Sequence, residues 1–346
     1  MATPIEKQEI ENFRMAELLR TTSINALCRS WFLDEIWGIK SAANDISAFD
    51  FYFEHYEHLC SAVEESLFWL THSHAVCAVQ RMLTQRRGSC VDELLTFVPP
   101  STVNKTLTVD KWMAFVAHSL LFMDISKWQP TETLPEMIDR SVAVRSVQDD
   151  SFRLPRSFNA RTIAKVAGIN VQWTTRLTSH LEVSGNDCDV AVFHCGSVLE
   201  LYQRSKHSTI FPDGFLAETG KTMSLLLPKS ETSLRKWLLN EKRQLRLDGS
   251  VLACPYLRAS ERNIRCFDYY RERLIILKEV FDEHEPRGIG QFWRDDRKPV
   301  QWWTFWIAIV VFVLTLVGCV EGALQVYKAY YPEGDSSSAL GCRRRL

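Results

Sequence analysis

Residues 302–320 read WWTFWIAIVVFVLTLVGCV, nineteen positions without a charged side chain. At about 1.5 Å per residue, a helix of this length spans roughly 28 Å, close to the hydrocarbon core of a bilayer, which is about 30 Å thick. Helices buried in soluble proteins seldom contain more than about 14 uninterrupted apolar residues. The stretch therefore predicts one transmembrane helix over residues 301–327.

Aromatic residues at both ends of the stretch support this prediction. Trp302, Trp303 and Trp306 lie at one end, and Tyr327 and Tyr330 lie at the other. Indole and phenol rings concentrate at the two membrane–water interfaces, because each ring has an apolar body and a polar group. We therefore identify these five residues as the membrane anchor.

Basic residues flank the stretch unequally and predict its orientation. Four precede it: Arg287, Arg294, Arg297 and Lys298. Within about 20 residues after it there is only Lys328, although three arginines follow at 343–345. Because basic flanks stay in the cytosol, we expect a single-pass topology with the N-terminal region cytosolic, resembling a tail-anchored protein. Both the endoplasmic reticulum and the mitochondrial outer membrane fit this expectation.

Small residues near the end of the apolar stretch suggest a contact between helices. Gly318 and Gly322 form a GxxxG step, which lets two helix backbones approach closely. Glu321 lies between them, and an acid at that depth needs a partner or access to the headgroups. Self-association through these residues is one hypothesis; the alternative is that small residues are simply common in spans.

Composition indicates a folded region before the span. Of 346 residues, 46% are hydrophobic and 24% charged, and 41 basic residues balance 42 acidic ones. This balance gives no overall field that would attract nucleic acid. The ten cysteines include no CxxC pair, which favours reduced cytosolic thiols over disulfides or a zinc module. The N-terminus carries charges where a signal peptide needs an apolar core.

The folded region is predicted to be mainly α-helical with minor β (α+β). Hydrophobic periodicity predicts helices near 8–40, 52–70 and 109–123, the second continuing weakly through Leu83. The polar, proline-bearing stretch 127–158 is the predicted boundary. The chain then divides into an N-terminal helical region (1–126), a linker (127–158) and a second α-rich region with minor β (159–285). These are followed by a juxtamembrane segment (286–300), the transmembrane span (301–327) and a short tail (328–346).

The second region mixes short elements. We predict a helix near 160–167, a strand at 169–173 and a helix near 175–182. An apolar run follows at 189–195, and the last soluble helix is predicted from an N-cap at Ser260 to residue 285. A helix at 230–246 carries five basic residues: Arg235, Lys236, Lys242, Arg243 and Arg246. Such a helix either lies against anionic lipid or exposes a solvated face.

Three stretches resemble a family of uncharacterised proteins from filamentous fungi that share a C-terminal membrane-anchored region. They are SFNARTIAKVAGINVQW at 157–173, FDYYRERLIILKEVFDEHEP at 267–286, and the block RKPVQWWTFWIAIVVFVLTLVGCVEGALQVYKAY at 297–330. The similarity covers residues 152–331, and the membrane block is its most specific part. The resemblance implies an anchored cytosolic domain and supplies no catalytic residue or cofactor.

Two motifs suggest nucleotide or DNA binding, and each has a simpler explanation. GFLAETGKT at 214–222 resembles a phosphate-binding loop, but five residues separate its glycines where a Walker loop has four, which favours a helix-entry turn. Segment 161–182 resembles a helix-turn-helix with Gly168 at the turn and 174–181 as recognition helix. Beyond Arg176 and Gln172 this helix offers few groups to contact DNA, so a packed helix pair is the alternative.

Two further clusters suggest metal binding or covalent chemistry. Six potential ligands lie within one stretch: His55, His58, Cys60, His72, His74 and Cys77. On one helix His72 and His74 would point about 200° apart, so interfacial histidines are the alternative. His194-Cys195-Gly196-Ser197 could imitate a nucleophile turn, against a buried free cysteine. We therefore assign no catalytic residue, cofactor or metal.

The sequence favours a membrane-anchored interaction or scaffold protein with a cytosolic domain. Its expected partners are the lipid bilayer, proteins still to be identified and, through the span, a second copy of the chain; nucleic acid is disfavoured. The alternatives are a membrane-tethered DNA-binding regulator using segment 161–182, and an enzyme with an unrecognised site. Anchoring raises the effective concentration of a domain toward partners at the same surface.

Overall fold

The computed structural model describes residues 4–18, 23–40, 43–143, 151–185, 187–283 and 299–330. These residues form two compact units, Met1–Glu285 and Pro286–Leu346, which are described separately. The first unit holds the sheet and the core, and the second holds one long helix. The prediction of a mainly α fold with minor β and one long apolar C-terminal helix is confirmed.

Helices dominate the first unit. Up to the predicted boundary they are α1 Pro4–Met15, α2 Ala26–Phe32, α3 Asp50–Ser61, α4 His72–Thr84, α5 Arg87–Leu95, α6 Lys105–Leu120 and α7 Leu134–Ser141. Beyond it are α8 Ala160–Thr162, α9 Gly196–Arg204, α10 Phe215–Leu226, α11 Thr232–Leu245 and α12 Arg271–Glu283. Turns of π type, Leu33–Trp37 and Ile163–Ala167, extend α2 and α8.

The apolar periodicity predicted over 52–70 runs through more than one helix. Helix α3 ends at Ser61, and α4 begins at His72 because Thr71 and His74 form a capping box there. The intervening Leu67 and Leu70 are still buried. One continuous helix through Leu83 is therefore wrong, because a local cap starts a new helix within an otherwise regular pattern.

The stretch 127–158 contains regular structure in its described part. Helix α7 begins with a capping box formed by Thr133 and Glu136, and it buries Met137 and Ile138. Phe158 is fully buried beyond it, with its ring 5.4 Å from that of Phe281. These residues belong to the same compact unit as the helices before and after them.

The sheet has three strands, β1 Asn170–Thr174, β2 Val183–Ser184 and β3 Asp189–Phe193, in the order β1-β3-β2. Strands β1 and β3 are parallel, with Thr174 opposite Phe193, whereas β2 is antiparallel to β3. The predicted strand at 169–173 thus forms one edge of the sheet, and the apolar run at 189–195 contains its central strand. Parallel pairing brings the carboxyl ends of both strands to the same edge.

Two predicted helices differ from the structure. Between β1 and β2 there is a single 3₁₀ turn, Leu177–Ser179, where the Leu177 N–H donates to the carbonyl of Phe122 at 3.0 Å. The helix predicted near 175–182 is wrong, because this contact with a distant segment replaces local helical bonds, and the helix-turn-helix hypothesis loses its recognition helix. The last soluble helix begins at Arg271 and not at Ser260.

The second unit contains α13, Pro299–Tyr330, in its described part. An 18-residue window within Trp303–Tyr330 has a mean hydropathy of 2.5, and none of this window is buried. The prediction of one helix long and apolar enough to span a membrane is confirmed, since a core helix would be mostly buried. Trp303, Tyr327 and Tyr330 are exposed, with 63%, 63% and 80% of their surface accessible.

Other residues assigned to the membrane region remain predictions. The side chain of Trp302 and the basic residues at 287–298 and 343–345 lie outside the described residues. Trp306 lies in α13, as do Gly318, Glu321 and Gly322. A Cβ added at either glycine would meet no atom within 4 Å, so both positions are open.

Candidate functional site

A cavity of about 1300 Å³ opens at the carboxyl edge of the parallel strand pair. Thr175 and His194 follow directly after β1 and β3 and line it, and the chain then enters α9. Helix α3, the end of α11 and the turn after α11 form its other walls. Ligands of parallel sheets bind outside the carboxyl ends of the strands, so we call this cavity the strand-end cleft.

The wall formed by α9 is held by a buried carboxylate. One oxygen of Asp248 accepts hydrogen bonds from the Ser197 N–H at 2.9 Å and from the Ser197 hydroxyl at 2.7 Å. Its other oxygen accepts the Ser250 N–H at 3.0 Å. The Gly196 N–H donates to Ser250 Oγ at 3.0 Å. Helix N-termini attract anions, and in many proteins a phosphate group of a ligand binds there. At the N-terminus of α9 the carboxylate of Asp248 provides this negative charge.

Glycine is required at position 196 because the turn after α11 approaches closely. A Cβ there would lie 2.6 Å from Ser250 Oγ and 3.0 Å from Ser250 Cβ. Both distances are below ordinary van der Waals contact, so a larger residue would push the 248–250 turn away from α9. Gly196 therefore sets the distance between α9 and the 248–250 turn at the wall of the cleft.

His194 is an uncharged imidazole at the cleft. Its Nδ1 accepts the Asp248 N–H at 3.3 Å, which places the ring proton on Nε2. Only 5% of the residue is exposed, and burial lowers its pKa to about 4 despite the nearby Asp248 carboxylate, which raises it. His194 is therefore a neutral hydrogen-bond donor near neutral pH.

His55 faces the same cleft from α3. Its ring lies 4.6 Å from that of Phe122 and 5.6 Å from that of His118, which contacts Thr175 Oγ1 through Nε2 at 3.2 Å. Burial, followed by the charge of His118, lowers the pKa of His55 to about 4. Among the described residues, its buried Nε2 has no hydrogen-bond partner. Such an atom is one that a bound ligand could satisfy.

The thiol of Cys195 is unsuited to nucleophilic attack. The residue is fully buried, and burial, followed by the charge of Asp248, raises the pKa of its thiol well above the ordinary value. Its Sγ lies 3.7 Å from Nδ1 of His194, the atom that already accepts the Asp248 N–H. Because the thiolate is the reactive form, this geometry fits the buried free cysteine that was the alternative to a nucleophile turn.

The segment 214–222, which resembles a phosphate-binding loop, has a structural role. Gly214 has a φ of 85° and precedes α10, so the segment is the helix-entry turn that was the alternative. Glu218 accepts the N–H groups of Asp268 and Tyr270 at 2.9 and 2.8 Å. Lys221 donates to the carbonyl of Cys266 at 2.9 Å. Both charged side chains thus hold the segment before α12, and Glu218 caps that helix.

His72 and His74, two of the potential metal ligands between residues 55 and 77, have separate structural roles. His72 contacts the hydroxyl of Tyr56 through Nδ1 at 2.9 Å and stacks on Phe13, with ring centres 4.1 Å apart. His74 belongs to the capping box of α4. Within the described part of the chain, no group of three or more histidine, cysteine or acidic residues could hold a metal ion.

Sequence reasoning missed the residues that organise the cleft. Asp248 and Ser250 were not identified, although an Asp-Gly-Ser sequence after a helix indicates a turn. His55 was considered only as a metal ligand. Compared with known proteins, the chain matches no protein-family model, no curated protein and no solved structure. Its function must therefore be inferred from its own residues.

Proposed function

We propose that this chain is a single-pass membrane protein whose first unit lies in the cytosol and acts there as an interaction or scaffold domain. The observation that carries the proposal is the unburied 18-residue window of α13, which has a mean hydropathy of 2.5. Its apolar side chains are more stable among lipid tails than in water, and a lipid bilayer is the environment that fits its length. Anchoring then concentrates the first unit at one surface.

Extraction tests the anchor. We expect the intact chain to stay in the membrane pellet after alkaline carbonate treatment and to be released by detergent. The variant V313R/L314R places two charges at the centre of the span, which opposes insertion, and should appear in the supernatant. Release of the wild-type chain by carbonate would overturn the proposed anchoring.

Glycosylation tests the orientation. Asn104 begins an Asn-Lys-Thr sequon and is exposed at the start of α6. We expect no glycan at Asn104 in the intact chain, because a cytosolic domain does not meet the glycosylating enzymes. A control with a cleavable signal peptide added and the span deleted should acquire the glycan, which shows that the site is accessible. A glycan on the intact chain would reverse the topology.

The strand-end cleft is the proposed binding site of the domain. Glu54 and His58 line it and are exposed. Proximity labelling from the intact chain should identify partners at its membrane, and the variant E54R/H58E should lose those that use the cleft. The control variant K105E/K127E changes two exposed residues that do not line the cleft and should keep the same partners. Identical partner sets for both variants would exclude the cleft as the interaction site.

A second candidate function is catalysis or small-molecule binding in the same cleft. The observation that favours it is the pair His55 and His194, two neutral imidazoles with strongly lowered pKa values that line one cavity. When a metabolite library is screened by thermal shift against the full chain, a compound that binds the cleft should stabilise the wild type. The same compound should not stabilise H55F, which fills the position without a ring nitrogen. Equal stabilisation of both would exclude this role for His55.

Pairing of two spans through Gly318 and Gly322 remains part of the proposal. Close approach of two backbones requires small side chains, so G318I/G322I should abolish dimers detected by crosslinking in bilayers. The variant V317I/V320I enlarges residues outside the GxxxG step and should preserve them. Unchanged dimerisation of G318I/G322I would exclude this contact.

A further inference from the structure

Helix α11 has one face turned toward the protein body. Leu234 and Leu238 are buried on it, and Trp237 lies beside them with its ring centre 5.9 Å from that of Trp173. Glu241, the single acid of the helix, accepts a hydrogen bond from the Trp173 indole at 3.3 Å. The acid and the apolar residues of this face are therefore satisfied within the first unit.

The opposite face is basic and partly apolar. At about 100° per residue, Arg235, Leu239, Arg243 and Lys236 fall within an arc of about 100°. All four are exposed, and 38% of the Leu239 surface is accessible. No ion pair joins these three cations to an acid in the part of the chain that the structure describes. Their charge is thus free to act on a partner.

The face continues past the end of the helix. Arg246 follows α11 and is exposed. The surface thus combines one accessible leucine with four cations that join no ion pair among the described residues: Leu239, Arg235, Lys236, Arg243 and Arg246. We call these five residues the α11 face. All of its charges have the same sign.

We propose that the α11 face binds an anionic lipid headgroup surface. The four cations fit a dense array of negative charge, and Leu239 between them fits the boundary between headgroups and acyl chains. A binding site for one acidic protein would instead pair individual cations with individual carboxylates. The inference rests on the proposed membrane anchoring, because the span supplies the surface.

The connection to the span is long enough for this binding. Residues 284–298 lie between the end of α12 and the start of α13. Fifteen residues extend at most about 50 Å, whereas a domain of 285 residues has a radius of gyration of about 19 Å. The span therefore does not by itself select the face of the first unit that meets the bilayer, and the charges on its surface contribute to that selection.

The four charges together should have a large effect on binding. A Lys or Arg at an anionic surface changes the binding constant about fivefold. Neutralising all four cations should then reduce it by a factor of several hundred. High salt should have a similar effect, since the interaction falls off within a Debye length.

The test uses the full chain in nanodiscs, with a photo-crosslinking amino acid in place of Leu239. Discs contain phosphatidylcholine alone or equal parts of phosphatidylcholine and phosphatidylserine. We expect a lipid adduct, identified by mass, in the mixed discs at low salt. Phosphatidylcholine discs and high salt should each reduce it at least tenfold. The salt dependence is measured on one and the same chain, so it cannot be mistaken for misfolding of a charge variant.

Two matched variants separate local from general charge. R235Q/K236Q/R243Q/R246Q should lose the adduct, whereas K7Q/K105Q/K127Q/K165Q, which removes the same charge from exposed positions elsewhere, should keep it. Absence of the adduct from a chain that co-purifies with the disc would overturn the inference and leave the anchoring intact. An adduct to a second copy, or to an acidic protein when the experiment is repeated in microsomes, would also overturn it. Failure to co-purify would instead contradict the anchoring.

Discussion

His180 Nε2 donates a hydrogen bond to Thr222 Oγ1 at 2.8 Å inside the core. The Nδ1 of the same ring accepts the Phe193 N–H at 3.0 Å, which fixes the tautomer. The Thr222 hydroxyl in turn donates to the carbonyl of Thr219 at 2.7 Å. One fully buried imidazole thus joins strand β3 to helix α10, and both of its ring nitrogens have hydrogen-bond partners.

Removal of the Thr222 hydroxyl should destabilise the first unit without a large change in volume. T222V leaves the Nε2–H group of His180 buried and unsatisfied, which should lower the free energy of unfolding by about 1–3 kcal/mol. Urea unfolding followed by tryptophan fluorescence measures this change. T84V removes a hydroxyl from an exposed helix position and should change it by less than about 0.5 kcal/mol. Equal effects of both would contradict the network.

This network also explains how far sequence reasoning could proceed. The glycine spacing in 214–222 correctly favoured a helix-entry turn over a phosphate loop, because loop length is a local property. The roles of Thr222 and Lys221 could not be predicted, since their partners His180 and Cys266 are more than 40 positions away in the sequence. Fold class and span follow from local patterns, whereas buried polar pairs depend on tertiary contacts.

Four buried histidines should make the first unit sensitive to acid. Burial lowers the pKa of His72 and His180 to about 3 and that of His55 and His194 to about 4. Unfolding returns each to about 6.5, so the unfolded state binds more protons between these values, and stability present above pH ~6.5 is lost as the pH falls. Each histidine contributes a slope of about 1.4 kcal/mol per pH unit near pH 5.

Unfolding free energies measured at several values between neutral pH and about pH 5 test this expectation. H180Q removes one of the four groups and should reduce the slope by about 1.4 kcal/mol per pH unit, apart from its effect on stability at neutral pH. A free energy that is constant over this range would show that the histidines are not buried in their neutral forms.

The cleft was harder to predict than the fold. The pattern at 169–173 predicts a strand and 189–195 is only an apolar run, yet the parallel pairing of these two stretches creates the site. The helix predicted near 175–182 prevented the cleft from being predicted. In the structure, the Leu177 N–H of that segment donates to the carbonyl of Phe122, and this contact replaces local helical hydrogen bonds. Without the correct connection, Thr175 and His194 could not be placed at the same edge.

Close packing at Gly196 should appear as a coupling between two positions. G196A places its Cβ against Ser250 Oγ and should destabilise the unit by about 1–3 kcal/mol. S250A removes that oxygen and orphans the Gly196 N–H, which costs about 1 kcal/mol. In the double variant the clash is relieved in part, so the sum of the single effects should exceed the measured value by about 1 kcal/mol. Strict additivity would show that the two segments do not touch.

The thiols should differ sharply in reactivity. Cys266 is exposed, whereas Cys195 is fully buried with a raised thiol pKa. Iodoacetamide near neutral pH should therefore alkylate Cys266 in the native chain and reach Cys195 only after unfolding, because the thiolate is the attacking form. Peptide mass mapping with and without urea measures both. Rapid alkylation of native Cys195 would restore the nucleophile hypothesis for residues 194–197.

The backbone at Arg246 links the basic helix to the cleft. Its φ of 51° lies in the left-handed region, where it ends α11 and turns the chain so that Leu247 and Asp248 enter the interior. Side chains other than glycine are strained there by about 1–2 kcal/mol. R246G should therefore be more stable than R246A by about 1 kcal/mol, although both lose the same charge. Equal stability of the two variants would mean that residue 246 does not hold this conformation, and the turn that delivers Asp248 to Ser197 would then need another cause.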